Sequence, residues 1–233
     1  MKRRHLIVAA SLVAAVIGGL TNLADSGHAD PVVAESSPQT SASIATLLGR
    51  VAVVDGIRKQ PGYQRGCKKG QRCVFGPAWN DPSNSTGCDT RNRILRNQLV
   101  NVEFKPGTRG CKVASGLLHD PYSGTDIAFS SRDDADAVQI DHVAPLSAVW
   151  DLGAWAWPLR QRQLFANDTD NLLAVSGSLN GGKSDATISE WLPPNRKFVC
   201  RYIEIYLSVM AKYQLPITRA DRDTASRHCL FAG

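Results

Sequence analysis

The chain has 233 residues, 43% of them hydrophobic, and a formal net charge of +6. That length fits one domain or at most two, and the apolar content excludes disorder over the whole chain. The mild positive charge suits a polyanionic partner without requiring one.

The first segment addresses the protein. Met1-Lys2-Arg3-Arg4 is a short cationic start, and residues 6–20 are apolar apart from Ser11 and two glycines. Gly27-His28-Ala29 then puts small residues at the two positions a signal peptidase reads, so residues 1–29 are predicted to be a secretory signal cleaved after Ala29. A membrane-spanning helix needs about 20 apolar residues; this run is shorter and is interrupted by Gly18-Gly19. No later stretch is long and apolar enough to span a bilayer, so the mature chain is expected to be secreted or held in the cell envelope, without a membrane partner. Cleavage removes Lys2, Arg3, Arg4 and Asp25, which lowers the net charge from +6 to +4.

Residues 30–46 mix Ser, Ala, Thr and Pro without periodicity and are expected to form a flexible leader. Apolar residues cluster from Leu47 to Val54, where the folded domain (47–233) is expected to begin. Residues 60–89 are rich in Gly, Pro, Asn and Asp and hold three cysteines, so covalent pinning would suit so unpatterned a segment. Asp89-Thr90 can cap a helix through RNRILRNQL, whose Ile94, Leu95 and Leu99 make an apolar stripe. Val100–Phe104, Gly110–Val113, Ile127–Phe129 and Ala137–Val143 are expected strands, with DPYSG at 120–124 a turn. Pro145 and Pro158 open short helices through Val149 and Phe165. Leu172–Val175 is an expected strand, followed by the polar segment SGSLNGGKSD, a loop or short helix. A buried helix over about 196–213 and a last helix through Cys229, opened by a Thr218/Asp221 capping box, end the pattern. The tryptophans of GAWAW at 153–157, and Trp191, are expected in the core.

All six cysteines (Cys67, Cys73, Cys88, Cys111, Cys200 and Cys229) lie beyond the cleavage site. An even count in an exported chain indicates three disulfides. Zinc ligands usually come in pairs two to four residues apart, whereas the closest pair, Cys67 and Cys73, has five residues between. Cys200 lies 15 residues before Leu215 and Cys229 lies 14 after it, so an antiparallel helical hairpin turning there would bridge those two.

The chemistry concentrates in QIDHVAPLSA (139–148) and FANDTDNLLAVSGSLNGGKSD (165–185). Asp141 and His142 are adjacent at the end of an apolar strand, where a strand end or bend can bring both into one cleft. A carboxylate is a hard ligand for Mg²⁺ or Mn²⁺, and a histidine off the metal can take a proton from water. Asn180 offers a carboxamide oxygen as a second ligand. Lys183, three residues on, can contact a phosphate, and Asn171 can hold a neighbouring loop. Alone, an Asp-His pair is a frequent accident; the ordered set is not.

DHV-P-L, ND-DNL-AVS and N-GKSD together resemble the ββα-metal core of HNH nucleases, in the branch with Asn in place of the last His. GYQRGC, FGPAWND, GCDTRNRIL, GLLHDPYSG, WLPP and CRYIEIYLSVMAKYQL extend the resemblance over roughly 47–229, to exported bacterial HNH endonucleases related to the C-terminal domain of GmrSD restriction enzymes. The resemblance implies an α+β fold with a ββα-metal (His-Me finger) core at about 137–185, enlarged by helices and stabilised by disulfides. It implies His142 as general base, Asp141 and Asn180 as ligands of one Mg²⁺ or Mn²⁺, Asn171 aiming the base, and Lys183 in the catalytic set. The implied activity is phosphodiester hydrolysis in DNA, with RNA second, and Arg91 and Arg93 are expected to line the nucleic-acid cleft. No obligate protein partner is evident. The alternative is a non-catalytic exported nucleic-acid-binding or interaction protein that keeps the scaffold.

Overall fold

A computed structural model describes residues 37–230, so the predicted secretory signal lies outside the described residues. Helix α1 (Pro38–Leu48) and a two-residue strand β1 (Val53–Val54) lead into residues 55–89, which contain no helix or strand. Helix α2 (Thr90–Gln98) runs directly into β2 (Leu99–Phe104), which is followed by β3 (Val113–His119) and β4 (Asp126–Ser130). Next come β5 (Val138–His142), α3 (Leu146–Asp151), α4 (Leu159–Ala166), β6 (Leu172–Ser176) and α5 (Gly177–Lys183). The described chain closes with α6 (Val199–Lys212), β7 (Ile217–Thr218) and α7 (Arg219–Cys229).

The strands form three small sheets: a parallel pair β1–β7, an antiparallel meander β2–β3–β4, and the antiparallel hairpin β5–β6. The architecture is thus mixed α+β. Among the described residues no helix is long and apolar enough to cross a membrane.

Burial explains the placement of the hairpin. Side chains alternate across a strand, and Val138, Ile140, Leu172 and Ala174 face a cluster with Ile94 and Leu95 of α2 and with Leu118 and Phe129. Val175 faces the larger core around α6, where Tyr202, Ile203, Tyr206, Leu207 and Met210 are almost fully buried. The polar segment 176–185 resolves as α5, capped by Ser176, whose hydroxyl accepts from the Leu179 amide. Only glycine fits its first position: a Cβ on Gly177 would lie 1.9 Å from the Asp136 carbonyl oxygen.

All six cysteines are paired, as Cys67–Cys73, Cys88–Cys111 and Cys200–Cys229. The last bridge joins α6 to α7 as the hairpin spacing predicts. Both ends of the helix 219–229 also follow the sequence, including the reciprocal Thr218–Asp221 capping box.

Three expectations fail. Residues 38–46 are not a flexible leader but most of α1, because Ser37 caps the helix and Ile44 and Leu47 bury against the main core, where α1 packs on α6 and α7. The strand expected at 110–113 begins only at Val113, since residues 105–112 are taken up by a turn that returns the chain from β2. Trp155 is not core but 51% exposed.

Candidate active site

The end of β5 delivers two neighbouring side chains to different neighbourhoods that meet at one opening. Asp141 and His142, together with Tyr63, Ser147, Asn180 and Asp185, line a cavity of about 410 Å³.

Asp141 is buried and held from two sides. Lys183 Nζ donates to its Oδ1 across 2.9 Å, and the Tyr122 hydroxyl donates to its Oδ2 across 2.5 Å. Burial, reinforced by the Asp141 charge, pushes the Tyr122 pKa well above that of a free phenol, so this hydroxyl stays a donor. Tyr122 is itself positioned by Asp120. That buried carboxylate accepts from the Tyr122, Ser123 and Ser176 amides, tying the DPYSG turn to the β6–α5 junction.

His142 is fixed by one hydrogen bond and one stack. Its Nε2 lies 2.9 Å from the Ala166 carbonyl oxygen, and its ring lies parallel to that of Trp79, 5.8 Å between centroids at an interplanar angle of 11°. A carbonyl only accepts, so Nε2 carries the proton and Nδ1 holds the lone pair. Burial lowers the His142 pKa to about 4. The Ala166 bond and Asp141 oppose that shift, while Arg65 and Lys183 add to it. The imidazole is therefore neutral at pH 7.

Asn171 does what its place before β6 predicts. Its Oδ1 accepts from the Ala144 amide at 2.7 Å and its Nδ2 donates to the Ala144 carbonyl at 3.1 Å. Its own carbonyl accepts from the Val143 amide. The two residues after His142 are clamped. Asn180 donates Nδ2 to Gln139 Oε1 at 2.8 Å, which leaves its carboxamide oxygen as the acceptor at the cavity.

One expected role is corrected. Lys183 does not reach out to a phosphate: it is 1% exposed and spends its ammonium on Asp141 Oδ1 and the His142 carbonyl, because α5 turns it inward under the hairpin. Arg91 and Arg93 are likewise engaged within the protein. Arg91 donates to the Ala135 and Val138 carbonyls, and Arg93 pairs with Asp81 at 2.6 Å and donates to Thr90. Both arginines stitch α2 to its surroundings.

Several site residues escaped the sequence reading: Tyr122, Trp79, Asn167 and Arg65. Asn167 is buried and joins three segments, accepting from Thr90 Oγ1 and donating to the Asn80 and Gln163 carbonyls, next to the Ala166 carbonyl that holds His142. All four sit inside motifs that carry the resemblance, GYQRGC, FGPAWND, GLLHDPYSG and FANDTDNL, but nothing in their spacing ties them to Asp141 or His142.

The donor set suits a hard divalent cation. Among the described residues no group of three or more His, Cys, Asp or Glu side chains is placed to hold a metal. Asp141 and Asn180 nevertheless line one cavity and each carries an oxygen donor, and Mg²⁺ is commonly held by one or two protein oxygens with water and phosphate as the rest. Each Asp141 oxygen accepts one protein bond and keeps a second lone pair.

A search of curated proteins finds a relative from Arthroderma benhamiae named "Uncharacterized secreted protein", 36% identical over 137 residues. The match covers 58% of this chain and 63% of that relative's length. Three disulfides are consistent with an extracellular protein. No solved structure matches the chain. A family model described as GmrSD restriction endonucleases, C-terminal domain, matches residues 89–224, a span that holds Asp141, His142, Asn171 and Asn180, and the chain belongs to that family.

Proposed function

We infer that the protein is an exported, metal-dependent endonuclease with a ββα-metal core, hydrolysing phosphodiester bonds in DNA. The observation that carries this reading is the meeting of Asp141, His142 and Asn180 at one cavity, with the His142 lone pair on Nδ1. The order β5, β6, α5, with α5 packed against both strands, supports the ββα reading of the core. Family membership supports a nucleic-acid substrate, and the secreted name of the relative supports export.

In this reading His142 Nδ1 takes a proton from the water that attacks phosphorus, while the Nε2–H bond to Ala166 keeps the ring oriented. Asn171 holds the turn after His142 so that the base does not drift. Lys183 and Tyr122 fix Asp141, and Gln139 fixes Asn180, as the two residues that would hold Mg²⁺ or Mn²⁺. When bound there, the cation would supply Lewis-acid stabilisation of the charge on the phosphate and leaving oxygen.

The test is incubation of purified mature protein with plasmid DNA and, separately, with RNA, in Mg²⁺, in Mn²⁺ and in EDTA. Cleavage of the plasmid that stops in EDTA is expected. Turnover that persists in EDTA, or binding of nucleic acid without cleavage in either metal, overturns the reading, the second in favour of a binding protein.

A further inference from the structure

The residues matched by the family begin at 89, yet part of the cavity wall comes from before that point. Tyr63 lines the cavity, and Trp79 covers the His142 ring. Between them the chain is closed on itself by the Cys67–Cys73 bridge, by the Cys73 amide bonded to the Gly66 carbonyl, and by the Val74 amide bonded to the Gln64 carbonyl. Val74 and Phe75 then plunge into the main core. The wall is rigid before any ligand arrives, which reduces the ordering cost of binding.

Arg65 lies in this segment two residues after Tyr63, and its side chain reaches back to Gly76, three residues before Trp79. Its Nη1 donates to the Gly76 carbonyl at 3.0 Å, and among the described residues it makes no ion pair. Arg93 is paired with Asp81 and Arg91 is bonded to two carbonyls, whereas most of the five N–H donors of the partly buried Arg65 have no such use. A guanidinium left in this condition is suited to an oxyanion, and it binds phosphate as a planar fork.

We propose that the disulfide-closed segment 60–79 is a nucleic-acid-binding wall of the site and that Arg65 binds a backbone phosphate of the substrate beside the scissile one. The proposal rests on the nuclease reading and deepens it by naming a contact that lies outside the matched family span.

The experiment compares Arg65→Ala and Arg65→Lys in the full mature protein. Binding of a fluorescently labelled DNA duplex is read by anisotropy across a salt series in a His142→Ala background, and plasmid cleavage is read with His142 intact. Arg65→Ala should weaken binding by about tenfold and lower the slope of log affinity against log salt by about 0.9, with KM raised more than kcat is lowered. Arg65→Lys should keep the salt slope while losing part of the affinity, because the charge survives and the fork does not. A merely structural arginine would leave the slope unchanged. Wild-type protein that cleaves normally while Arg65→Ala keeps both affinity and slope overturns this proposal alone. Wild-type protein that neither binds nor cleaves overturns the nuclease reading and this proposal with it.

Discussion

His142 and Ala166 are held 2.9 Å apart, imidazole Nε2 to carbonyl oxygen, and the residue after Ala166 makes that distance rigid. Asn167 anchors the end of α4 to Thr90 of α2 and to Asn80 in the preceding loop. The base is therefore oriented by segments far apart in sequence, and removing it need not disturb them.

His142→Ala should lower cleavage by about 10² to 10⁴ while leaving metal binding and the circular dichroism spectrum close to wild type, since loss of a general base typically costs that much. Asp141→Ala and Asn180→Ala should instead shift the metal titration to higher concentration, with partial recovery at high Mn²⁺. A folded His142→Ala protein with full activity would falsify the general-base assignment.

The depressed pKa of His142 also has a sign for stability. The folded chain holds the neutral imidazole down to about pH 4, whereas the unfolded chain takes up the proton near 6.5. The contribution is therefore present above pH 6.5 and is lost as pH falls from 6.5 towards 4. Urea unfolding in EDTA should show wild type losing about 2 kcal/mol more than His142→Asn between pH 7 and pH 5. Equal losses in the two proteins would mean the ring is not held neutral by burial.

The Cys200–Cys229 bridge joins two buried positions on α6 and α7. Cys200→Ser and Cys229→Ser should each destabilise by about 2–5 kcal/mol. The double variant should be no worse than either, because one substitution already removes the bond. Thermal unfolding of the three variants checks this, and additive losses would count against a shared bond.

The parts of the fold legible in sequence were those set by local chemistry. Asp89 and the Thr218/Asp221 pair announced helix starts. The apolar run at 137–143 announced β5, and the hairpin spacing announced Cys200–Cys229. Asn171 was legible from its place just before an expected strand, although the loop it holds, at Ala144, lies 27 residues away. What escaped depends on long-range partners. Arg91 reads as an exposed base until the Ala135 and Val138 carbonyls arrive beside it, 44 and 47 residues away. Trp79 gives no sign of stacking on His142, and α1 looks like a polar leader because only Ile44 and Leu47 bury.

Lys183 is where the sequence reading and the structure part most sharply, and its two readings predict opposite measurements. A solvent-facing phosphate contact would contribute to salt-dependent binding and little to folding. The observed lysine is enclosed with Asp141, their side chains 0% and 5% exposed, and also donates to the His142 carbonyl. Removing one partner of such a pair strands the other charge away from water, at about 3–5 kcal/mol. Lys183→Met should therefore lower the urea midpoint strongly, as should Asp141→Asn. The Asp141→Asn/Lys183→Met double variant should recover much of the loss, because neither charge is then left alone. The same series separates folding from positioning: the double variant should be stable yet poor in metal binding, since the carboxylate has gone. A Lys183→Met protein as stable as wild type, with a reduced salt slope in DNA binding, would return this lysine to the phosphate role.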